Sequence, residues 1–420
     1  MTYRALRAAG FQGRIHLPGE ERYELERLPW NRAFDPRPDV VAEATGPEDV
    51  RAAVQVARAL GLPVSVQSTG HGTVSSAAGG LMLRTSGMAR VTVDPSWRTA
   101  TAGPGALWSD VIAAAAPYGL APLSGTPWVG VTGYTLGGGA GWLSRAYGLA
   151  ADSVVRADVV TADGEPLTIG PDEHPDLFWA LRGGGGNFAV VTALTFRLYP
   201  VERVFAGMTL HPVERAADTL AAYRAWAPDE SDESNTAVLV MRLPDGGRAL
   251  GVRAVCLASA EEARRLLAPL LDAAGEPVGG GMAELSFAEA GTAIAGPPSP
   301  PMAVSQHFDL VEDLPDDLVG ALLGSGARAV EVRHWGGAMA RPGADAGPAG
   351  HRDVPFSVLT MGERVDLKGH ATGGTFLNFL TDPSRTASAY TAGDHARLAQ
   401  VKKAWDPDRV LRPGHAILPG

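Results

Sequence analysis

The chain has 420 residues, with 46 acidic against 36 basic side chains and a net charge of −10 at neutral pH. That balance excludes a basic stripe able to track a nucleic-acid backbone, and 45% hydrophobic with 20% charged residues excludes a disordered chain. A single cysteine excludes an internal disulfide, and 52 glycines gathered in runs rather than at a fixed period exclude collagen-like and solenoid architectures.

The segment Gly46–Leu60 places apolar residues at helical spacing, with acids early and arginines late, and predicts an amphipathic helix ending at Gly61. Leu62–Val66 follows as a short buried strand that runs into the polar turn Gln67-Ser-Thr-Gly-His-Gly72. Strands are expected at Leu81–Arg84, Arg90–Asp94 and Thr99–Ala102, then a helix over Leu107–Ala116, then strands at Val154–Thr161 and Val190–Leu198. From about residue 201 strands and helices alternate at greater length. Strands are expected at Thr236–Leu243, Leu250–Leu257, Ala303–Leu310 and Ala329–His334, and helices at Ser259–Ala274 and Pro315–Leu323. This pattern predicts a second lobe, an antiparallel sheet carrying helices on one face. The proline- and glycine-rich stretches 296–301 and 341–350 read as loops within it. A last helix is expected from Gly393 to Trp405. Cys256 lies in an apolar run and reads as an inert buried thiol, and Lys402-Lys403 as a charge pair at a helix C-terminus. No stretch reaches the length of a membrane span and Met1–Arg7 lead into no apolar leader core, so a cytoplasmic protein without membrane contact is expected.

Three glycine-rich turns carry the chemistry: Gln67–Thr73, Gly130–Gly141 and Gly183–Asn187. Residues free to adopt positive φ can aim several backbone N–H groups into one concavity, which suits the pyrophosphate of a dinucleotide. The nicotinamide-type G-x-G-x-x-G fingerprint fails because Trp142 stands at its third position after Gly137 and Gly139. There is no G-x-S-x-G nucleophile elbow, no H-E-x-x-H and no cysteine cluster, so a hydrolase triad of that kind and a dedicated metal site are not expected.

Four pieces occur in order: Ser68-Thr-Gly-His-Gly72, Gly133-Tyr-Thr-Leu-Gly-Gly-Gly-Ala-Gly141, Asp176-Leu-Phe-Trp-Ala-Leu-Arg-Gly-Gly-Gly-Gly-Asn-Phe188, and Asn378 with Val401-Lys-Lys-Ala-Trp-Asp-Pro-Asp408. Together they resemble the berberine-bridge-enzyme-like branch of the vanillyl-alcohol-oxidase (PCMH-type) FAD-linked oxidases, its bacterial members in particular. The resemblance covers about residues 37–200 and 373–417. It implies an α+β fold of two lobes: an FAD-binding domain over 1–200, a substrate domain over 201–372, and a C-terminal segment, 373–420, that returns to the first. It also implies that FAD is bonded covalently to His71 through its 8α-methyl group. A cysteine that forms a second bond in many relatives falls here on Thr126, so a single link is expected.

The same resemblance assigns cofactor contact to Gln67, Ser68, Thr69, Gly70, Gly72, Val129, Gly130, Gly133, Tyr134, Gly137, Gly138, Gly141, Asn187, Val190 and Asn378. Val129 falls where relatives control the approach of molecular oxygen. Gln67 replaces a frequent arginine and Ala189 a frequent glycine. Where relatives carry a Tyr-x-Asn-Tyr base, this chain has Phe376-Leu-Asn-Phe379. Tyr134, His307, Glu331 and His334 are therefore the candidate catalytic groups, with Glu331 and Arg333 sharing one strand face and His334 pointing with Val332. His351-Arg352 matches a family pair of architectural role. The implied activity is hydride removal from a small-molecule substrate with reoxidation by oxygen to peroxide, in natural-product tailoring. Alternatives are a sugar or alcohol oxidase, and a flavin-containing cyclase or binding protein without net redox turnover. Nothing in the sequence sets the oligomeric state.

Overall fold

The structure is a computed structural model describing all 420 residues. It has an α+β fold in which two small sheets and a large one surround the glycine turns. Arg14–His16, Val40–Glu43, Leu81–Arg84 and Val64–Gln67 form a four-stranded sheet in that spatial order, and its last three strands run parallel. The parallel register follows from a crossover: helix Pro47–Ala59 buries Val50, Ala53, Val54 and Ala57 against this sheet. Proline at its first position and Glu48 and Asp49 in its first turn suit the helix start. Val91–Asp94, Thr99–Ala102, Ala189–Arg197, Val154–Thr161 and Pro166–Ile169 form a five-stranded antiparallel sheet, packed under helix Trp108–Ala115.

The second lobe is a seven-stranded antiparallel sheet in the order Gly279–Ser286, Arg203–Pro212, Arg248–Cys256, Ser234–Arg242, Ala329–His334, Phe356–Met361, Gln306–Val311. Strand alternation sorts its side chains. Val238, Val240, Leu250, Val252, Val330, Val332 and Val358 meet helices Ala216–Trp226, Ala260–Ala274 and Asp316–Leu323 in one core. The other face, with Leu239, Arg253, Glu331 and Arg333, carries no helix of this group. Ser259 caps its helix by accepting from the Glu262 N–H at 3.3 Å. Helix Phe287–Ala295, opened by the Ser286–Glu289 capping box, packs along strand Arg203–Pro212 and adds Ala290 and Ile294 to a core shared with the first lobe. Cys256 is fully buried, and burial pushes its thiol up to about 12.

The final residues run along the first lobe. Leu411 bridges Val64 in parallel, with Val64 N donating to Val410 O at 2.7 Å and Arg412 N to Val64 O at 2.8 Å. Helix Ala392–Trp405 ends with one lysine turned inward rather than two facing water. Lys402 is 2% exposed and donates to Asp406 Oδ2 at 2.5 Å and to the carbonyl of Asn187 at 2.7 Å. Asp406 in turn accepts from Val410 N and Leu411 N. Asp406→Ala strands a buried ammonium, and about 3–5 kcal/mol of stability should be lost in a denaturant titration. Lys403→Ala, on the same turn but exposed, should change stability by less than about 0.5 kcal/mol.

Candidate functional site: a glycine-walled cleft around His71

The His71 turn begins where strand Val64–Gln67 ends, and a strap from residues 28–31 braces it from behind. Trp30 N donates to Thr69 O at 3.0 Å and Asn31 N to Gly70 O at 3.3 Å. Gly70 has a φ of 79°, and a Cβ there would stand 2.5 Å from Pro29 Cβ, so the close approach of strap and turn requires glycine. The Trp30 indole stacks on the His71 imidazole with ring centres 4.3 Å apart and planes 17° from parallel. His71 Nδ1 pairs with the Thr69 hydroxyl at 2.9 Å. Half-buried under the indole, the imidazole has its pKa lowered to about 4 by desolvation, so it is neutral near pH 7 with a lone pair available.

The three glycine turns meet. A side chain at Gly130 would begin 3.5 Å from Ser68 Oγ and 3.6 Å from Thr69, which joins the first turn to the second. Gly137, Gly138 and Gly183 line one recess with Phe376, Asn378 and Tyr390, which joins the second turn to the third and to the C-terminal segment. Asn378 is the clasp of that junction. Its Oδ1 accepts from Gly139 N at 2.7 Å and its Nδ2 donates to Tyr134 O at 2.9 Å. Asn187 is wholly buried and spends its amide on Gly184 O, His415 O and Ile417 N, so it ties the third turn to the tail.

Between these braces the wall is bare backbone. Gly72 and Gly133 are exposed, with no atom within 4 Å of where a Cβ would stand. Two hydroxyls buried beside this wall, Ser68 Oγ and Thr132 Oγ1, have no partner in the protein. A wall without side chains, orphaned hydroxyls and a neutral imidazole at its edge fit a large planar cofactor with a polar chain. Thr126 and Val129 lie half-buried on the segment leading into Gly130, and Gln67 and Val190 are buried beneath the first turn and in the adjoining sheet. Gly141 closes the second turn, where any Cβ would meet Tyr134 Oη at 2.6 Å.

The four candidate catalytic groups are scattered. The Tyr134 ring sits edge-on to Trp108 and is hemmed in by Gly125, Gly139 and Gly141, where no Cβ would fit, and burial raises its pKa. His307 lies on the edge strand of the large sheet, in a recess with Asp309, Arg364, Asp382 and Arg385. His334 faces the helix layer, with Nδ1 2.6 Å from Glu230 Oε2 and 3.2 Å from Arg145. Glu331 alone lies on the face that meets the second glycine turn. It accepts from Arg253 at 2.9 Å and Arg333 at 2.8 Å, and the Arg333 guanidinium lies 3.9 Å over Trp142, next to Gly141. His351 takes a positive φ and packs on Gly374, while Arg352 forms a two-pronged pair with Asp152 of the first lobe at 2.7 and 3.0 Å.

Residues 38–170, from the four-stranded sheet through the first two glycine turns, match the FAD binding domain family. The chain carries an FAD-binding domain. Its sequence is similar to (R)-6-hydroxynicotine oxidase of Paenarthrobacter nicotinovorans, 34% identical over 224 residues, which are 53% of this chain and 46% of that protein. The chain thus matches about half the length of that curated relative. The fold is that of 6-hydroxy-D-nicotine oxidase from Arthrobacter nicotinovorans, with a TM-score of 0.85 at 25% identity over 98% of this chain and 99% of that one. It is also that of a glucooligosaccharide oxidase from Acremonium strictum described with a 6-S-cysteinyl, 8α-N1-histidyl FAD, with a TM-score of 0.86 at 22% identity over 100% and 99% of the two chains.

Sequence reasoning did not find Trp30, Arg145, Asn235 or Arg253. Trp30 and Arg253 act across the fold, on residues far away in the chain, and no local pattern marks them. The His71 pKa is depressed relative to its ordinary 6.5, so the folded state resists the proton that the unfolded chain accepts. In cofactor-free protein, stability should therefore fall as pH drops from 6.5 towards 4. Trp30→Ala exposes the ring, and an NMR titration of the His71 ring protons should show its pKa rise towards 6.5.

Proposed function

We propose that this protein is an FAD-dependent oxidase holding its flavin through a single covalent bond to His71, and that it oxidises a small organic substrate in the tailoring of a secondary metabolite. The observation that carries the reading is the neutral, stacked His71 imidazole at the edge of a side-chain-free wall inside an FAD-binding domain. Bound there, FAD supplies a two-electron acceptor that takes hydride from a substrate carbon and is reoxidised by dioxygen, giving hydrogen peroxide.

The chain's own residues do the rest. His71 anchors the ring system, with Trp30 and Thr69 fixing the imidazole plane. Ser68 and Thr132 offer hydroxyls to the cofactor's polar chain, and the exposed backbone at Gly72 and Gly133 lets it approach closely. Thr126 has no sulfur, which limits the attachment to one bond. Of Tyr134, His307, Glu331 and His334, Glu331 is the candidate proton acceptor for a substrate hydroxyl, because its sheet face meets the second glycine turn. Phe308 of the second lobe and Phe376 and Phe379 of the C-terminal segment close the substrate side, with Phe379 stacked on Phe308 at 4.6 Å and Phe376 tilted against it at 5.5 Å. Three phenylalanine rings without a hydroxyl among them favour an aromatic or otherwise apolar substrate over a sugar.

Denatured protein should stay yellow and fluorescent after precipitation, and His71→Ala should release the flavin to the supernatant. Flavin washing off the wild type refutes the covalent bond. A substrate screen with peroxide readout should give one peroxide per product. Turnover without peroxide points instead to a dehydrogenase or a cyclase that uses flavin without net oxidation.

A further inference from the structure

The open face of the large sheet carries a charge imbalance at the lobe boundary. Arg253 and Arg333 stand on strands either side of the central strand Ser234–Arg242, both opposite Ala237. Two strand spacings put their backbones about 10 Å apart, with only a methyl group between. One carboxylate serves both: Glu331 bridges them at 2.9 and 2.8 Å. Arg333 is 9% exposed, and the Nε of each arginine is buried without a partner. Two residues along the same strand face lies Asn235, wholly buried, whose amide oxygen and nitrogen are both unpartnered. Trp142 roofs the group from the first lobe, with the Arg333 guanidinium 3.9 Å and the Arg253 guanidinium 5.8 Å from its ring centre.

Two guanidiniums against one carboxylate leave a net positive charge in a largely covered place, the Arg253 side chain being 17% and the Arg333 side chain 10% exposed. Such a charge is costly unless an anion completes it, and guanidinium forks match a carboxylate in shape. Burial depresses the Arg253 pKa, with Glu331 opposing and Arg333 reinforcing the effect, and Glu331 is the carboxylate that pairs with this arginine.

We infer that Arg253 and Arg333, with Asn235, form the recognition point for a carboxylate group on the substrate. This deepens the flavoenzyme reading and rests on it for the word substrate. The carboxylate is held on the sheet of the second lobe under Trp142, leaving the remainder of the molecule to extend along the second glycine turn.

The test uses the purified protein and two isosteric probes, benzoate and benzamide, followed by perturbation of the flavin absorption spectrum and by calorimetry. Benzoate should bind saturably and at least about tenfold more tightly than benzamide, the difference expected for a charge-assisted pair. Arg333→Gln and Arg253→Gln should each weaken benzoate by about tenfold or more while leaving benzamide unchanged. Glu331→Gln removes the competing carboxylate and should tighten benzoate binding, an opposite sign that loss of folding cannot imitate. Equal binding of the two probes, no binding of either, or weaker benzoate binding in Glu331→Gln overturns the inference. A colourless protein that still prefers benzoate by calorimetry overturns the flavoenzyme reading while leaving the anion site standing.

Discussion

The relation of the two lobes depends on one buried cation. Arg145 follows the second glycine turn in sequence yet belongs, by its contacts, to the other lobe. Its guanidinium donates to the carbonyls of Ser234 at 2.9 Å, Glu230 at 2.6 Å and Trp335, and meets His334 and the Glu230 carboxylate. Backbone carbonyls are fixed acceptors, so the arginine reads the exact path of the strand ends rather than a mobile side chain. Gly337 lets the second lobe close on it, since a Cβ there would lie 2.3 Å from the Arg145 carbonyl oxygen. The bulk of the interface then follows: Ala290 and Ile294 add to the shared core, Trp142 covers the arginine pair, and Arg352 grips Asp152.

A second set of buried polar contacts does for the glycine turns what Arg145 does for the lobes. Loops rich in glycine lose much conformational entropy on folding and need external fixing. Asn378 fixes the second turn, Asn187 the third, and the strap at Pro29–Asn31 the first. Lys402 and Asp406 hold the tail that carries two of these braces. The glycines leave the wall open to a ligand, and residues distant in sequence make it rigid.

Legibility from the sequence followed the range of the interaction. Periodicity placed helices Pro47–Ala59, Ala260–Ala274 and Asp316–Leu323 and most strands within two or three residues, because each buries one face. In the large sheet, strands Arg203–Pro212, Gly279–Ser286 and Phe356–Met361 were missed, as were helices Ala216–Trp226 and Phe287–Ala295, although Ser286-x-x-Glu289 offers the capping-box signal for the last. Glycine runs marked the turns, since backbone requirements are written locally. The strand period correctly put Glu331 and Val332 on opposite faces, but it could not say which face meets the first lobe. Lys402-Lys403 looked like a solvated pair because partners at Asn187 and Leu411 are invisible in the local pattern. Trp30 was silent for the same reason: its stacking partner lies forty-one residues on.

The strap and the tail also impose an order of events on the ribosome. The His71 turn leaves the exit tunnel early, but Trp30 is held from its far side by the Ser299 carbonyl and its neighbour Asn31 by the backbone at Met302 and Val304. The second and third turns wait longer still, for Asn378 and the stretch from Val410 to Ile417. A nascent chain therefore presents the His71 imidazole before the contacts that brace its turn exist. A chain arrested between Asn187 and the tail has all three glycine turns but lacks the Asn378, His415 and Ile417 contacts that fix the second and third.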